Sequence, residues 1–306
     1  MAMFAMLLVI SGCATGESDC AKDYLRASGA QRSLLHAGEA EVHWTLIRPG
    51  KPELSKVKTR ATWSGDKYRV DVVDHPFKVM MYGPDSRLSG EPLEVSIWNE
   101  SGAVLNKIRN SSRYLFRQSE HPAPADVRLF NVKTLGLPKY GGPQTNPEDG
   151  FFLDYDVQRF EVLESGLIRI DLARNSSDTL SFKVWFIIDP SRDHAVVEYG
   201  YETRHRSEEA EKPDLVFTVK GVNVLELFDT VWFPRKGRHE QFRNGKLDWA
   251  DEFEVVNLRL NASVPDYVFK WDSLGVPTGE RVLSSAPGFP SFTWNSAATT
   301  SGLPSK

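Results

Sequence analysis

The feature that most constrains the fold is the alternation of apolar and less apolar side chains over residues 180–188. A turn headed by Asp189-Pro190 follows, and residues 195–202 alternate in the same way. Successive side chains of a β-strand point to opposite faces, so the pattern predicts an antiparallel hairpin with one apolar face. That face is predicted to carry Leu180, Phe182, Val184, Phe186, Ile188, Val197, Tyr199 and Tyr201.

The same alternation recurs along most of the chain and predicts a mainly β protein. Strands are expected at residues 41–46, 56–63, 67–72, 77–82, 93–98, 103–108, 113–117, 168–172, 215–227, 230–242, 246–260 and 267–271. No crossover helices separate these runs, so the sheet should be antiparallel and should follow a meander.

Several stretches depart from this pattern. Residues 19–36 predict a helix that Ser18 or Asp19 caps and Gly38 ends, and residues 151–163 favour a second helix over another strand. Residues 122–150 are rich in Pro, Gly and Asn, which predicts an irregular insertion of the kind that forms lids and rim loops. Residues 284–306 are rich in Ser, Pro, Thr and Gly and predict a disordered tail.

The composition and the motifs exclude several classes of function. The chain has 306 residues, 41% of them hydrophobic, and a formal net charge of -4, so nothing favours a nucleic-acid partner. The serine-hydrolase elbow, the phosphate-binding loop, the zinc-protease motif and the dinucleotide fingerprint are absent from the sequence. The neighbouring carboxylates of Asp154 and Asp156 are interpreted as solvated side chains. The sequence therefore predicts a protein that is not an enzyme and has no cofactor or metal.

The N-terminus resembles a bacterial lipoprotein signal. Residues 1–10 are apolar, and the run Ile10-Ser11-Gly12-Cys13 has the form of a lipobox, in which the cysteine is acylated. This predicts a signal peptide at residues 1–12 and lipidation at Cys13, which would anchor the chain to a membrane, facing the periplasm and most simply at the outer membrane. Two alternatives remain open: an ordinary signal peptide with Cys13 and Cys20 joined by a disulfide, and a cytosolic chain with an apolar N-terminal strand.

The body of the chain resembles the LolA-like family of cell-envelope proteins. The resemblance is carried by WSGDKYRVD at residues 63–71, FKVWFIIDP at 182–190, VWFP at 231–234, YVF at 267–269 and GVPTG at 275–279. It implies an antiparallel half-open β-barrel with a few helices, one of them across its mouth, and a role in binding lipids or acylated proteins. A lipid anchor would distinguish this chain from a soluble periplasmic carrier.

These observations predict four segments: a signal peptide at 1–12, a linker and helix at 13–38, a LolA-like β domain at 39–283 with the insertion at 122–150, and a tail at 284–306. The expected function is binding of a lipid or acylated ligand in an apolar cavity, in lipid or lipoprotein trafficking. The predicted lining is Trp44, Trp63, Tyr68, Phe182, Val184, Phe186, Val197 and Tyr199.

Two other functions compete with this hypothesis. One is a non-catalytic protein-interaction or sensor module of the envelope, in which the sheet is packed and residues 122–150 contact a partner protein. The other is a hydrolase with an unfamiliar motif. An open apolar face would favour lipid binding, and a filled one would favour the interaction or sensor module.

Overall fold

One sheet of fifteen strands makes up most of the chain that the structure describes. The structure is a computed structural model and describes residues 16–75, 92–98, 103–108, 114–118, 132–138, 151–207, 213–284 and 291–295. The strands are β1 (Ala37–Arg48), β2 (Lys51–Ser64), β3 (Lys67–Asp74), β4 (Glu94–Trp98), β5 (Ala103–Ile108), β6 (Tyr114–Gln118), β7 (Asp156–Val162), β8 (Ile168–Ser177), β9 (Leu180–Asp189), β10 (Ala195–His205), β11 (Leu215–Phe228), β12 (Val231–Arg243), β13 (Lys246–Leu260), β14 (Arg281–Ser284) and β15 (Phe292–Thr293).

The sheet is a nearly continuous antiparallel meander. Its order is β7-β8-β9-β10-β11-β12-β13-β1-β2-β3-β4-β5-β6-β14-β15, and every neighbouring pair is antiparallel except β6 and β14. Pairing of β1 with β13 joins the N-terminal strands to the C-terminal ones. The two end strands, β7 and β15, do not pair with each other, so the sheet remains open. The predicted fold class, mainly β with an antiparallel half-open sheet, is confirmed.

One face of the sheet, called here the covered face, carries two apolar clusters. The tryptophan cluster lies on β1–β4, β12 and β13, and the phenylalanine cluster lies on β8–β11. Opposite residues of paired strands lie on one face, and the row through Phe186, Tyr199, Gly221, His239, Asp251 and Leu46 crosses both clusters. A third group, the C-terminal cluster, contains Val95, Ile97, Phe269, Trp271, Leu274, Val276, Val282 and Trp294.

The single α-helix of the described residues, α1 (Glu17–Ser33), lies on the covered face. Its buried residues recur at helical spacing and are Cys20, Ala21, Tyr24, Leu25, Ser28, Gly29 and Arg32. The helix starts after Gly16 and makes no side-chain cap hydrogen bond, so the predicted capping role of Ser18 or Asp19 is wrong. It also ends before the predicted boundary, since Ala37 already belongs to β1.

The structure corrects the prediction of a helix at residues 151–163. Residues 156–162 form the edge strand β7, which pairs with β8. The helix-like spacing of the aromatic residues arises because Phe152 and Tyr155 lie in a turn closed by the Tyr155 N–H to Phe152 C=O hydrogen bond of 3.0 Å. Both side chains pack on the phenylalanine cluster from that turn, as does Phe160 from the strand. Packing therefore imposes a spacing that imitates a helix.

The C-terminal part also differs from the sequence prediction. The strand expected at 267–271 is replaced by two 3-10 helices, Asp266–Phe269 and Trp271–Leu274. Residues 291–295, predicted to belong to a disordered tail, include β15 and the buried Trp294. These segments cover Val95 and Ile97 of β4, and this burial stabilises an ordered C-terminal segment. The predicted signal peptide and the strand at 77–82 lie outside the described residues.

Candidate functional site

The predicted apolar lining is brought to the covered face, but it is divided between the two clusters. Trp44, Trp63 and Tyr68 lie in the tryptophan cluster, and each is at most 2% exposed. Val184, Phe186 and Tyr199 are equally buried in the phenylalanine cluster, and Phe182 packs against its edge. In the described residues the covered face is therefore filled by side chains and by the segments that lie over it.

Val197, which the alternation placed beside Tyr199, is not part of either cluster. The ladder between β9 and β10 pairs Val196 with Ile188 and Glu198 with Ile187, so Val197 is the extra residue of a β-bulge. The bulge reverses the expected alternation, and Val196 enters the phenylalanine cluster while Val197 stays partly exposed. The prediction that Val197 shares the apolar interior with Tyr199 is wrong for this reason.

Residues 132–138 cover the tryptophan cluster and are held by specific hydrogen bonds. The Val132 N–H donates to the Tyr68 hydroxyl at 2.7 Å, and Lys133 Nζ donates to the Gly65 carbonyl at 2.7 Å. Burial raises the pKa of Tyr68 and lowers the pKa of Lys133. The Val132 and Leu135 side chains belong to the cluster itself, so this cover is part of the core.

A buried asparagine ties the same cover to the sheet. Asn223 Nδ2 donates to the Gly136 carbonyl at 2.9 Å and to the Val196 carbonyl at 3.0 Å. Gly136 has a φ of 76°, and a side chain there would lie within 2.7 Å of the Asn223 Oδ1 atom, so only glycine fits. The segment is thus matched to the surface beneath it.

The N-terminal part of α1 covers the phenylalanine cluster. Ala21, Tyr24 and Leu25 contribute its apolar contacts. The Ser28 hydroxyl donates to the His194 carbonyl at 2.5 Å, and the Tyr24 and His194 rings are 5.2 Å apart. Burial raises the pKa of Tyr24 and lowers the pKa of His194, which the nearby Asp193 carboxylate partly offsets.

A polar row crosses the covered face between the two clusters. Gly221 has no side chain, and the Tyr199 ring lies over it, so that the Tyr199 hydroxyl reaches His239 Nδ1 at 3.1 Å. The His239 ring stacks on Trp249 with a centroid distance of 5.0 Å. Asp251 is the partner of His239 in the β12–β13 ladder and is also buried.

Sequence reasoning missed this row for a structural reason. Counting outward from the turn at Asn244-Gly245 would place Ala250 opposite His239. A bulge at Asp248, between the pairs Gln241–Trp249 and Phe242–Leu247, shifts the register and brings Asp251 there instead. The Asn-Gly turn predicts where the β12–β13 hairpin closes, but it does not show that a bulge shifts the register farther along the strands.

A polar pocket lies away from the covered face. It is formed at the β8–β9 turn by Asn175, Ser176, Ser177, Asp178, Thr179, Leu180, Ser181 and Arg206. None of these residues belongs to the buried clusters, and the hydroxyl and amide groups at the turn satisfy one another, as in the contact between Ser177 and Thr179. The pocket is therefore not the apolar site that the sequence predicts.

Within the parts of the chain that the structure describes, no helix is both long enough and apolar enough to cross a membrane. Comparison with family models and with curated proteins returns no match.

Solved structures of bacterial proteins do match. A DUF1329 family protein from Desulfovibrio piger is 14% identical, covers 85% of this chain and 100% of its own, and gives a TM-score of 0.52. A LolA superfamily protein from Nitrosomonas europaea is 11% identical with a TM-score of 0.49, covering 83% of this chain and 98% of its own. An outer membrane lipoprotein-sorting protein domain from Vibrio parahaemolyticus is 9% identical with a TM-score of 0.48, covering 83% and 99%.

These likenesses concern the fold alone. The Desulfovibrio piger structure, whose TM-score is above 0.5, shares the fold over nearly the whole of its own length. The open antiparallel β fold that the sequence predicts is thus shared with this solved structure.

Proposed function

We propose that this protein binds the acyl chain of a lipid or of an acylated protein on the covered face, in place of the N-terminal part of α1. The single observation that carries the proposal is the poor match between α1 and the surface it covers. Only Tyr24 and Leu25 are large apolar residues among the seven that the helix buries, and the others include Ser28, Gly29 and Arg32. The surface beneath is aromatic and aliphatic, with Phe186, Tyr199 and Ile170 fully or almost fully buried.

A permanent core element normally presents Leu, Ile, Val or Phe to such a surface, because each buried methylene contributes about 0.8 kcal/mol. Replacing α1 with an acyl chain would exchange a small and partly polar contact for a wholly apolar one. The exchange favours the ligand once the chain is long enough to offset the cost of displacing the helix. The filled face then corresponds to the unliganded state, and α1 acts as its lid.

The residues 132–138 support the choice of lid. They are fixed by hydrogen bonds from Val132, Lys133 and Asn223, so displacing them would leave buried polar groups without partners. Displacing α1 breaks the hydrogen bond from Ser28 to the His194 carbonyl. The hydrogen bond from Trp63 Nε1 to the Leu35 carbonyl breaks only if the motion reaches residue 35. A hinge in the last turn of α1 would keep the second bond.

A titration with fluorescent fatty acyl probes of increasing chain length tests the proposal. Affinity should rise by roughly fourfold per methylene until the site is full, because that factor corresponds to about 0.8 kcal/mol. Hydrogen exchange measured with and without probe should show faster exchange in residues 17–33 and unchanged exchange in residues 132–138. A flat response across the series, in protein shown to be folded, would favour the interaction or sensor module instead.

Two matched variants locate the site. Val184→Trp enlarges a residue of the phenylalanine cluster and should shorten the longest chain accepted. Val57→Trp makes the same change in the tryptophan cluster and should leave the chain-length limit unchanged. Both overpack a buried position at a cost of about 1–3 kcal/mol, so a common loss of stability is expected and only the chain-length limit distinguishes them.

We further propose that Cys13 is acylated and anchors the protein to a membrane at the cell envelope. The proposal rests on the lipobox at residues 10–13. Cys20, in the first turn of α1, is buried and disulfide-bonded. The sequence contains one other cysteine, Cys13. A thioether to lipid and a disulfide both require the sulfur atom of Cys13, so the two modifications exclude each other. The disulfide at Cys20 therefore favours the ordinary signal peptide, and the acyl anchor requires that this bond is absent from the mature protein.

Mass spectrometry of the mature protein from a bacterium with two membranes decides between them. An N-terminal Cys13 carrying acyl groups supports the anchor and requires a free Cys20 thiol. A mature chain that starts elsewhere and keeps a Cys13–Cys20 disulfide supports an ordinary signal peptide. Acyl binding on the covered face does not depend on this outcome.

A further inference from the structure

The buried side of α1 carries an arginine that has no anionic partner among the residues that the structure describes. Arg32 is in the last turn of the helix and is 5% exposed. Its Cζ atom is 4.8 Å from the centroid of the Phe233 ring, so the guanidinium lies against the tryptophan cluster. Its Nη1 atom is fully buried and has no hydrogen-bond partner, and the guanidinium makes no ion pair with any residue in the described ranges.

Burial is the main influence on the electrostatics of this group. Desolvation lowers the pKa of Arg32 to about 9, and the nearby Tyr199 hydroxyl acts weakly in the opposite direction. Other arginines of the sheet are paired on its surface: Arg69 with Asp71 at 2.9 Å, and Arg169 with Asp171 at 3.0 Å. Arg32, which is buried and has no ion pair within the described residues, therefore differs from these surface arginines.

Buried charges in proteins are normally paired, because a charge removed from water without a counter-ion is strongly destabilising. A guanidinium offers five N–H donors in a planar fork that matches the two oxygens of a carboxylate or a phosphate. The position of Arg32 also suits an amphiphile, since the guanidinium contacts Phe233 of one cluster and lies near Tyr199 of the other. A charged group bound there would have apolar surface on both sides.

We propose that Arg32 binds the anionic headgroup of the ligand, a carboxylate or phosphate, while the acyl chain lies on the covered face. The inference rests on the proposed acyl-binding function and adds the chemical class of the ligand: an anionic amphiphile rather than a neutral one. Arg32 is carried by the lid itself, so the ligand that displaces the N-terminal part of α1 is bound by its C-terminal part.

The experiment compares three probes of equal chain length: dodecanoic acid, dodecyl phosphate and dodecanol. At about pH 8 the carboxylic acid is ionised, and the wild-type protein should bind both anions about tenfold or more tightly than the alcohol, as expected for charge-assisted hydrogen bonds. The ratio between the two anions identifies which headgroup the site prefers.

Arg32→Met keeps an unbranched apolar stem and removes the charge, so it should bind all three probes with equal affinity. Arg32→Lys should keep part of the preference as a point charge. Arg26→Met is the matched control, because Arg26 lies on the exposed side of α1 and pairs with Asp23 at 2.8 Å; it should behave as wild type. Arg32→Met should remain folded, since it removes an uncompensated buried charge.

The possible results separate this inference from the proposed function. Binding of all three probes by wild type with no preference for the anions, or a preference that persists in Arg32→Met, overturns the headgroup assignment and leaves acyl binding intact. Failure of wild type to bind any of the probes, the alcohol included, overturns the proposed function and the inference with it. A lower melting temperature in Arg32→Met with an unchanged anion preference would show that Arg32 is only structural.

Discussion

The two halves of the covered face differ in how they are closed. Residues 132–138 close the tryptophan cluster with matched apolar side chains and with hydrogen bonds to Tyr68, Gly65 and Asn223. The helix α1 closes the phenylalanine cluster with two large apolar residues and with one short hydrogen bond from Ser28, and Leu137 also packs in this cluster. The buried Arg32 of α1 lies against Phe233 of the tryptophan cluster and makes no ion pair with a described residue. The clusters themselves are similar, since both are aromatic and fully buried.

The difference teaches that burial alone does not distinguish a core from a binding surface. A cover that is held by several buried hydrogen bonds is costly to move, because breaking them leaves desolvated polar groups without partners. A cover with small side chains and an unpaired charge is cheap to move and gains from a ligand that supplies the missing partner. On this comparison we propose that the tryptophan cluster is structural and that the phenylalanine cluster binds the acyl chain. The variants below test that assignment.

Phe186→Ala should have the largest effect. The side chain is 0% exposed in the phenylalanine cluster, so its removal should lower the free energy of unfolding by about 3–5 kcal/mol. The space created should also let the site accept a longer acyl chain. Chemical denaturation and the chain-length titration measure the two effects.

Two controls accompany this variant. Trp63→Ala should cost a similar amount in the tryptophan cluster without changing the chain-length limit. Lys183→Ala, on the exposed side of β9, should change stability by no more than about 0.5 kcal/mol. Equal losses for Phe186→Ala and Lys183→Ala would show that the two faces of β9 are misassigned.

Tyr68→Phe tests the structural half. The change removes the acceptor of the Val132 N–H and should destabilise the fold by about 1–3 kcal/mol, because a buried amide is left unpaired. Acyl affinity should not change. Tyr267→Phe is the control, since Tyr267 is 66% exposed and should tolerate the loss of its hydroxyl. A large change in acyl affinity in Tyr68→Phe would indicate that the ligand binds at the tryptophan cluster and would contradict the proposed site.

Ser28→Ala weakens the attachment of the lid. It removes the hydrogen bond to the His194 carbonyl and should lower the stability of the closed state by about 1 kcal/mol. Acyl binding should tighten by up to about fivefold, the factor that corresponds to that energy when closure competes with the ligand. Ser33→Ala removes an exposed hydroxyl from the same helix and should leave affinity unchanged. Weaker acyl binding in Ser28→Ala would argue that α1 is not a lid.

His194→Gln should have the smallest effect, visible only in the dependence of stability on pH. Burial holds the pKa of folded His194 below its unfolded value, so the unfolded chain takes up this proton first. The stability contributed by the neutral ring is complete above the unfolded pKa of about 6.5 and is lost as the pH falls from there toward the folded pKa. As the pH is lowered through that window, the melting temperature of wild type should fall more steeply than that of His194→Gln. Parallel curves would show that folding does not shift the pKa of His194.

Much of the architecture follows from local pattern. The period of two along residues 180–188, 246–260 and the other strands requires a sheet with an apolar face, because alternate side chains point to opposite sides. Turns headed by residues such as Asp189 and Asn244 then join neighbours in antiparallel order. Trp44, Trp63, Tyr68, Val184, Phe186 and Tyr199 are buried where the alternation places them, because this pattern needs no distant partner to be read.

Tertiary structure decided what the alternation could not express. The bulge at Val197 and the one opposite Phe242 shift the register by one residue, which turns Val197 outward and brings Asp251 opposite His239. The aromatic residues at 267–271 have the local pattern of a strand. In the fold they pack against Val95 and Ile97 of β4 from two 3-10 helices.

Arg32 shows the limit most clearly. In the sequence it is one charged residue of a helix with a partial apolar stripe, and nothing local separates it from the exposed Arg26. The sequence determined a mainly β chain with one leading helix and an apolar face, because periodicity and turn chemistry act over a few residues. Only the packing of α1 across strands more than a hundred residues away decided that Arg32 would be buried beside Phe233, with no anionic partner among the described residues, since burial is a property of the neighbours that the fold supplies.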